Sequence, residues 1–436
     1  MRQTVGSFLG CLFLFLSFSP VLFAQESSDT DATTGATTKE KPRFELGGYG
    51  EISMQRMFYS DNVARYTYPE THKSGKHGRF DIPHLVVFMG YDFGKGWRFS
   101  SEIEFEHGGT GTTIEIENAE SGEYEAEIEK GGEVAIEQFW IEKTFNRALN
   151  VRLGHIIVPI GLTNMHHTPT EFFSVLRPEE ESTLIPCTWH ETGISLWGNK
   201  GAWRYEVQFL AGLDAERFNN AGWIHGGSVS PYEFKIATNY AGALRIDNYS
   251  VKGLRVGLSG YYGHSALNTL KSSRYEGLDG AVTVGAFDAV YDDHHLVLKS
   301  NVLYGHLSDS YQISMLNKKM QSASPSPRTD VASDVLSWYV EAGYNLLSLF
   351  PQMKEKEDRL YLWAHYGFYD SMYKTATEIP VKGWCEKRTI KAGLTYFPLK
   401  EVVIKAEYSL RKFEAPYNDE PTLSLGVAYS GMFFSK

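Results

Sequence analysis

WRFSSEIEFE, residues 97–106, alternates apolar and polar side chains at every second position. Trp97, Phe99, Ser101, Ile103 and Phe105 share one face; Arg98, Ser100, Glu102, Glu104 and Glu106 share the other. A repeat of two residues is that of an extended strand with one face in an apolar medium and one in a polar one. The run is as long as a tilted strand needs to cross a bilayer, about 9–11 residues. The same scheme returns in 203–213, where Trp203, Tyr205, Val207 and Phe209 oppose Arg204, Glu206 and Gln208, and in 402–411, where Val402, Ile404, Ala406, Tyr408 and Leu410 oppose Lys405, Glu407, Ser409 and Arg411.

Carried along the chain, this periodicity predicts sixteen strands, near 45–57, 80–92, 96–107, 133–145, 149–158, 191–198, 202–213, 233–246, 253–263, 280–291, 294–305, 334–346, 358–369, 387–397, 401–412 and 421–434. The strand at 133–145 lacks a clean polar face, since Val134, Ile136 and Trp140 oppose Phe139 and Ile141. Short links such as DFGKG, FNRAL, GNKG and FPLKE alternate with long ones at 58–79, 108–132, 159–190, 214–232, 264–279, 306–333 and 370–386; the link near 347–357 is longish where a short turn is expected, and the last loop, 413–420, is modest. A soluble β-sandwich has no reason to lengthen every second connection. A 16-stranded antiparallel transmembrane β-barrel does, because its turns are short at one end and its loops long at the other.

The N-terminus fits export. Residues 1–24 carry Arg2, an apolar run from Val5 to Phe23 and Ala24 at the expected cleavage site, the layout of a signal peptide. Residues 25–43 are polar and rich in Ser and Thr, as a disordered periplasmic tether would be, and the barrel is expected over 44–436. The net charge of −11 argues against a nucleic-acid partner. Cys187 and Cys385, the two cysteines beyond the signal, both fall in expected outer loops, and two cysteines make no disulfide framework.

One segment breaks the alternation. HHTPTEFFSVLRPEEESTLIPCTWH, residues 166–190, mixes apolar anchors (Phe172, Phe173, Leu176, Trp189) with charge. It lies in the third outer connection, where a loop can fold back into the lumen. His166, His167, Glu171, Arg177, Glu179, Glu180, Glu181 and His190 are the candidates for a pore constriction. Strand parity turns Arg98, Arg152, Arg204, Lys235, Arg245, Arg255, Lys299, Lys391, Lys405 and Arg411 toward the lumen, with Glu102, Glu104, Glu206 and Glu407 among them. A cationic ladder would attract anions; the competing reading is a mixed-charge wall whose members pair with one another. His155, His166, His167 and His190, with Glu171 and Glu191, have metal-ligand chemistry but match no tight motif, so no metal and no cofactor is expected. Ser174 near His190 is too generic for a nucleophile, and the chain is not expected to be an enzyme.

FELGGYGEISM (44–54), FDIPHLVVFMGYDFGKGWRFSSEIEFEHG (80–108) and NVRLGHIIVPIGLTNMHHTPTEFFSVLRPEEESTLIPCTWHETGISLWG (150–198) resemble the phosphate-selective porin family of Gram-negative outer membranes. The resemblance is good over 44–213 and beyond that lies in strand rhythm. It implies a sixteen-stranded barrel, usually a homotrimer, with the third extracellular loop folded into the pore. Two features depart from the family. The loop sets Arg177 against Glu171, Glu179, Glu180 and Glu181 where basic residues carry selectivity, and Ser435 and Lys436 follow the terminal Phe433-Phe434. The expectation is an outer-membrane porin for passive diffusion of small hydrophilic solutes, anions such as phosphate being the implied class. Its partners would be the outer-membrane lipid bilayer and these solutes. The alternative is a non-conducting surface-binding or structural barrel.

Overall fold

The computed structural model describes residues 43–107, 112–118, 124–130, 134–230, 234–319, 329–350, 352 and 358–435. The expected signal peptide and all of the expected tether but Arg43 lie outside the described residues. Sixteen strands form the wall: β1 Phe44–Met57, β2 His84–Gly94, β3 Trp97–Glu106, β4 Val134–Asn146, β5 Leu149–Ile157, β6 His190–Lys200, β7 Trp203–Ala211, β8 Tyr240–Val251, β9 Leu254–His264, β10 Ala281–Asp293, β11 Leu296–Leu307, β12 Asp334–Asn345, β13 Arg359–Lys374, β14 Glu386–Phe397, β15 Val402–Lys412 and β16 Glu420–Ser435. Each pairs antiparallel with the next, and β16 returns to β1 from Glu45↔Ser435 to Met57↔Thr422, so the sheet closes on itself. Closure leaves no open edge, which a sheet in lipid requires.

Side chains sort by parity as a barrel in lipid demands. Ile52, Leu85, Leu153, Ile194, Val207, Leu244, Leu258, Phe287, Val302, Leu362, Ile404 and Leu425 are exposed on the outer face. Phe93, Trp97, Phe145, Trp203, Tyr249 and Phe433 ring the end with the short turns, the position of an aromatic girdle. Inward positions on the same strands carry buried polar groups, among them Glu206, Arg245, Asp288 and Glu341.

Three departures from perfect alternation have local causes. His77–Asp81 pairs with Ser53–Met57 while β2 pairs with Phe44–Gly50, so one strand line is interrupted at Ile82-Pro83, where Pro83 has no N–H for the ladder. Strand β8 runs 240–251 rather than 233–246. Asn239 donates its N–H to Asn268 Oδ1 and accepts from Leu267 through its own side chain, which ties that backbone to a loop instead of a neighbouring strand. Lys235 therefore belongs to the fourth outer loop, a correction to its assignment as a wall cation. Strand β4 carries a bulge against β3: Glu102 pairs with Gln138 and Ile103 with Ile136, leaving Glu137 as the extra residue. This is why 133–145 has no clean polar face. Between β3 and β4, Thr112–Asn118 and Tyr124–Lys130 form a separate two-stranded hairpin.

Candidate functional site

The third outer loop, 158–189, starts and ends on one staple. Asn164 donates through Nδ2 to the Val158 carbonyl at 2.6 Å and accepts the Trp189 N–H on Oδ1 at 2.5 Å. Gly161, at φ 75°, lets the chain turn so that the N–H groups of Leu162, Thr163 and Asn164 converge on the Glu181 carboxylate at 2.9–3.1 Å. Asn301 of β11 adds a fourth donor at 2.6 Å. Glu181 is thus the centre of a backbone nest that gives the loop its shape.

From there the loop runs across the inside of the barrel. Pro178 precedes α1, Glu179–Ser182, whose first two carboxylates face the opposite wall. Glu179 meets Arg411, Lys391 at 3.5 Å and the Tyr369 hydroxyl at 3.1 Å. Glu180 meets Thr389 and His365 Nε2 at 3.0 Å, and His365 Nδ1 lies 3.3 Å from Glu341. Burial pushes the Glu180 carboxyl up, but His365 and Lys391 outweigh it and hold it at about 2; Arg411 and Lys391 likewise hold Glu179 below the usual carboxylate range. Backbone contacts continue the seam. Lys299 donates to the Glu171 carbonyl at 2.5 Å, Thr395 to that of Phe173 at 2.8 Å and Lys405 to that of Ser174 at 2.8 Å, while Glu407 accepts from the Val175 N–H at 2.8 Å.

Apolar packing holds the loop above and below this ionic belt. Leu184, Ile185 and Trp189 join Ile156 and Val158, the inward Val282, Val284, Leu303 and Val335, and Trp223 and Ile224 of the fourth loop in one buried cluster. Phe173 packs with Tyr361, Trp363 and Phe397 in a second. The wall makes room by omitting side chains: a Cβ at Gly343 would lie 2.4 Å from the Phe173 ring, and one at Gly367 2.2 Å from Glu180 Oε1.

The candidate constriction residues divide accordingly. Arg177 donates to the Tyr49 hydroxyl of β1 and to the His167 carbonyl, each at 3.3 Å. His167 is buried beside Glu102 of β3, its imidazole held above its ordinary range because Glu102 and Glu137 outweigh burial. His166 and Glu171 pair with each other at 2.9 Å and are partly exposed. His190 stands apart. It is the first residue of β6, on the outward face with Thr192 and Ile194, and its Nδ1 lies 2.5 Å from His155 Nε2. Its parity is that of the strand it begins, and a reading of the segment through His190 as all loop misses this.

The basic residues of the wall carry local partners. Arg98 pairs with Glu45, Arg152 with Glu142 and Arg204 with Glu206, and Lys235 of the fourth loop reaches Glu191 on the wall. Arg245 and Arg255 share Asp247 and Asp288, and Lys299 faces Glu341 at 3.6 Å. This is the mixed, self-paired wall rather than a free cationic ladder. Tyr49, Glu137, Asn164 and His365 escaped the sequence reading; for Tyr49 the signal was present, as its parity on β1 matches the inward Glu51 and Ser53. The cysteines are unbonded, Cys385 buried with its thiol 3.3 Å from the Asn220 carbonyl.

No family model matches the chain. An uncharacterized protein of Aquifex aeolicus (strain VF5) is 26% identical over 382 residues, 83% of this chain and 74% of that relative. Among solved structures, the fold is similar to an anion-selective porin from Comamonas acidovorans, with a TM-score of 0.52, 11% identity and coverage of 89% of this chain and 99% of that one. It is also similar to the outer membrane channel DcaP of Acinetobacter baumannii, with a TM-score of 0.52, 11% identity and coverage of 92% and 100%, and to Salmonella typhi OmpF, with a TM-score of 0.51, 11% identity and coverage of 90% and 98%. The likeness is one of fold: a closed porin-type β-barrel.

Proposed function

We propose that this chain is an outer-membrane channel of the porin type, exported by its N-terminal signal and assembled as a homotrimer, through which small hydrophilic solutes diffuse. In this reading the third loop sets the passage. The observation that carries it is the belt of Glu179 and Glu180 against Arg411, Lys391 and His365. A loop needed only as filler gains little from such pairs, since desolvation offsets most of the attraction and an apolar contact of similar shape does as well. Charged contacts can rehydrate when they part, which suits a surface that opens. A preference for anions such as phosphate, implied by the family resemblance, is not part of the proposal, because most of the wall cations are matched by nearby carboxylates and Lys405 is taken up by the Ser174 carbonyl and the Phe172 ring.

A second reading, a non-conducting binding or structural barrel, is favoured by one observation. Arg245, Asp288, Glu341, His365 and Lys405 point inward yet are at most 3% exposed, where a wide aqueous lumen would wet them. Planar-bilayer conductance of the refolded protein separates the two. Stable open steps support the channel, and folded barrel that inserts without conducting supports the plugged structure.

A further inference from the structure

The bulged residue Glu137 has no fellow on β3, and its side chain is thrown inward, fully buried, toward Glu102 and the loop residue His167. One oxygen or nitrogen from each of Glu102, Glu137 and His167 lies within 4.8 Å of the others. Two of these groups have orphaned atoms: Glu137 Oε1 and His167 Nε2 are buried without a hydrogen-bond partner. The remaining atoms are occupied in a directed way. Glu137 Oε2 faces the Tyr49 hydroxyl at 3.4 Å, Glu102 Oε2 accepts from Gln138, and His167 Nδ1 faces the Asn164 carbonyl at 3.2 Å.

The last contact decides the chemistry. A carbonyl can only accept, so Nδ1 carries a proton and Nε2 is the nitrogen turned to the carboxylates, the one whose proton a metal ion would replace. At 3.8 Å from Glu102, Nε2 is also too far for a hydrogen bond if it holds a second proton. A backbone carbonyl on one imidazole nitrogen and two carboxylates before the other is the arrangement of a metal-bound histidine with its orienting contact. Charge points the same way. Glu104 also faces Glu137, and Glu51 and Glu104 flank His84, so carboxylates outnumber the one guanidinium nearby, Arg177. Bulges recur where a side chain must be re-aimed at a site.

We propose that Glu102, Glu137 and His167 bind a divalent transition-metal ion of the zinc class, which fastens the third loop to β3 and β4. Nitrogen with two carboxylate oxygens suits such an ion at ligand distances of about 2.0–2.2 Å, reached by small side-chain movements. Two places compete for the same ion: His84 with Glu104 and Glu106, which offers the same donor set, and the pair His155–His190 on the outer face.

The test uses the refolded, untagged barrel at neutral pH, loaded with Zn²⁺ and freed of excess by gel filtration. One tightly held zinc per chain is expected, with affinity at least about 10-fold lower in Glu137→Gln and in His167→Gln and unchanged in His166→Gln and in Glu106→Gln; loss in Glu106→Gln instead would place the ion at His84, Glu104 and Glu106 and overturn the assignment. X-ray absorption of the zinc-loaded wild type gives a reading independent of whether variants fold: one imidazole and two or more oxygens are expected. Two imidazoles would move the ion to His155–His190 and overturn the assignment. So would an all-oxygen shell, or no zinc retained by wild type.

Discussion

Trp223 of the fourth outer loop lies where a side chain on Gly305 of β11 would be: a Cβ there would fall 2.2 Å from the indole ring. Trp223 is wholly buried in the cluster that also holds Leu184, Ile185 and Trp189 of the third loop. The two long loops and the wall are therefore one packed interior, and the loops cannot move singly without opening cavities.

Gly305→Val should tilt that interior. Overpacking a fitted site costs about 1–3 kcal/mol, and Trp223 and Val335 are the neighbours that must give. We expect a lower thermal midpoint and, if the channel reading holds, larger or more frequent open steps. A variant with wild-type stability and conductance would mean that the loop yields freely.

Replacing both Glu179 and Glu180 with Gln removes the acidic half of the belt. Breaking a buried pair by deleting one partner costs on the order of 3–5 kcal/mol, moderated here because Arg411 keeps Glu420 at 3.4 Å. Arg411, Lys391 and His365 would be left in excess. Reversal potential under a salt gradient should shift toward anions, and chymotrypsin should cut after Phe173 or Leu176 sooner than in wild type. Unchanged selectivity together with unchanged cleavage would remove the belt from the passage.

Acid should loosen the same contact. The Glu180 carboxyl, at about 2, lies below its ordinary 4.5, and Glu179 is shifted the same way. A lowered folded-state value favours the seated loop whenever the group is ionised. That contribution is complete above about pH 4.5 and is lost as pH falls through about 2. Conductance followed down this range should rise before the barrel unfolds; a flat profile down to the unfolding pH would count against loop release.

Burial pushes the Cys187 and Cys385 thiols up to about 12, so neither is a thiolate at neutral pH. In protein prepared without residues 1–24, and so without Cys11, Ellman's reagent should find almost no thiol in the folded barrel and two per chain after denaturation without reductant. Loss of both in denaturant would instead mean that Cys187 and Cys385 are joined.

The wall was legible because lipid enforces it. Ile194 and Leu196 can face only one way when they bracket the buried Ser195, so period and loop length together carry the strand count. Parity survived even the displaced β8, where Arg245 still points inward, because the displacement moved the strand's ends and not its alternation. The interior was legible only in part. Glu179 and Glu180 were nominated by composition, but nothing in their neighbourhood names Arg411 or His365, more than 180 residues away. Glu137 was hidden by the bulge that makes it notable, since an extra residue erases the pattern by which its direction would be read.

The pairing of Phe44–Met57 with Glu420–Ser435 has a consequence for assembly. The seam joins the first and last strands of the barrel, so the cylinder cannot be sealed until both have arrived. Until then each of these strands offers a full row of unsatisfied amides to any other strand it meets. Contacts of such sequence separation also form slowly. On the export route proposed above, the chain would travel as an unsealed ribbon, and escorting that ribbon past its own kind is a task the finished cylinder gives no hint of needing.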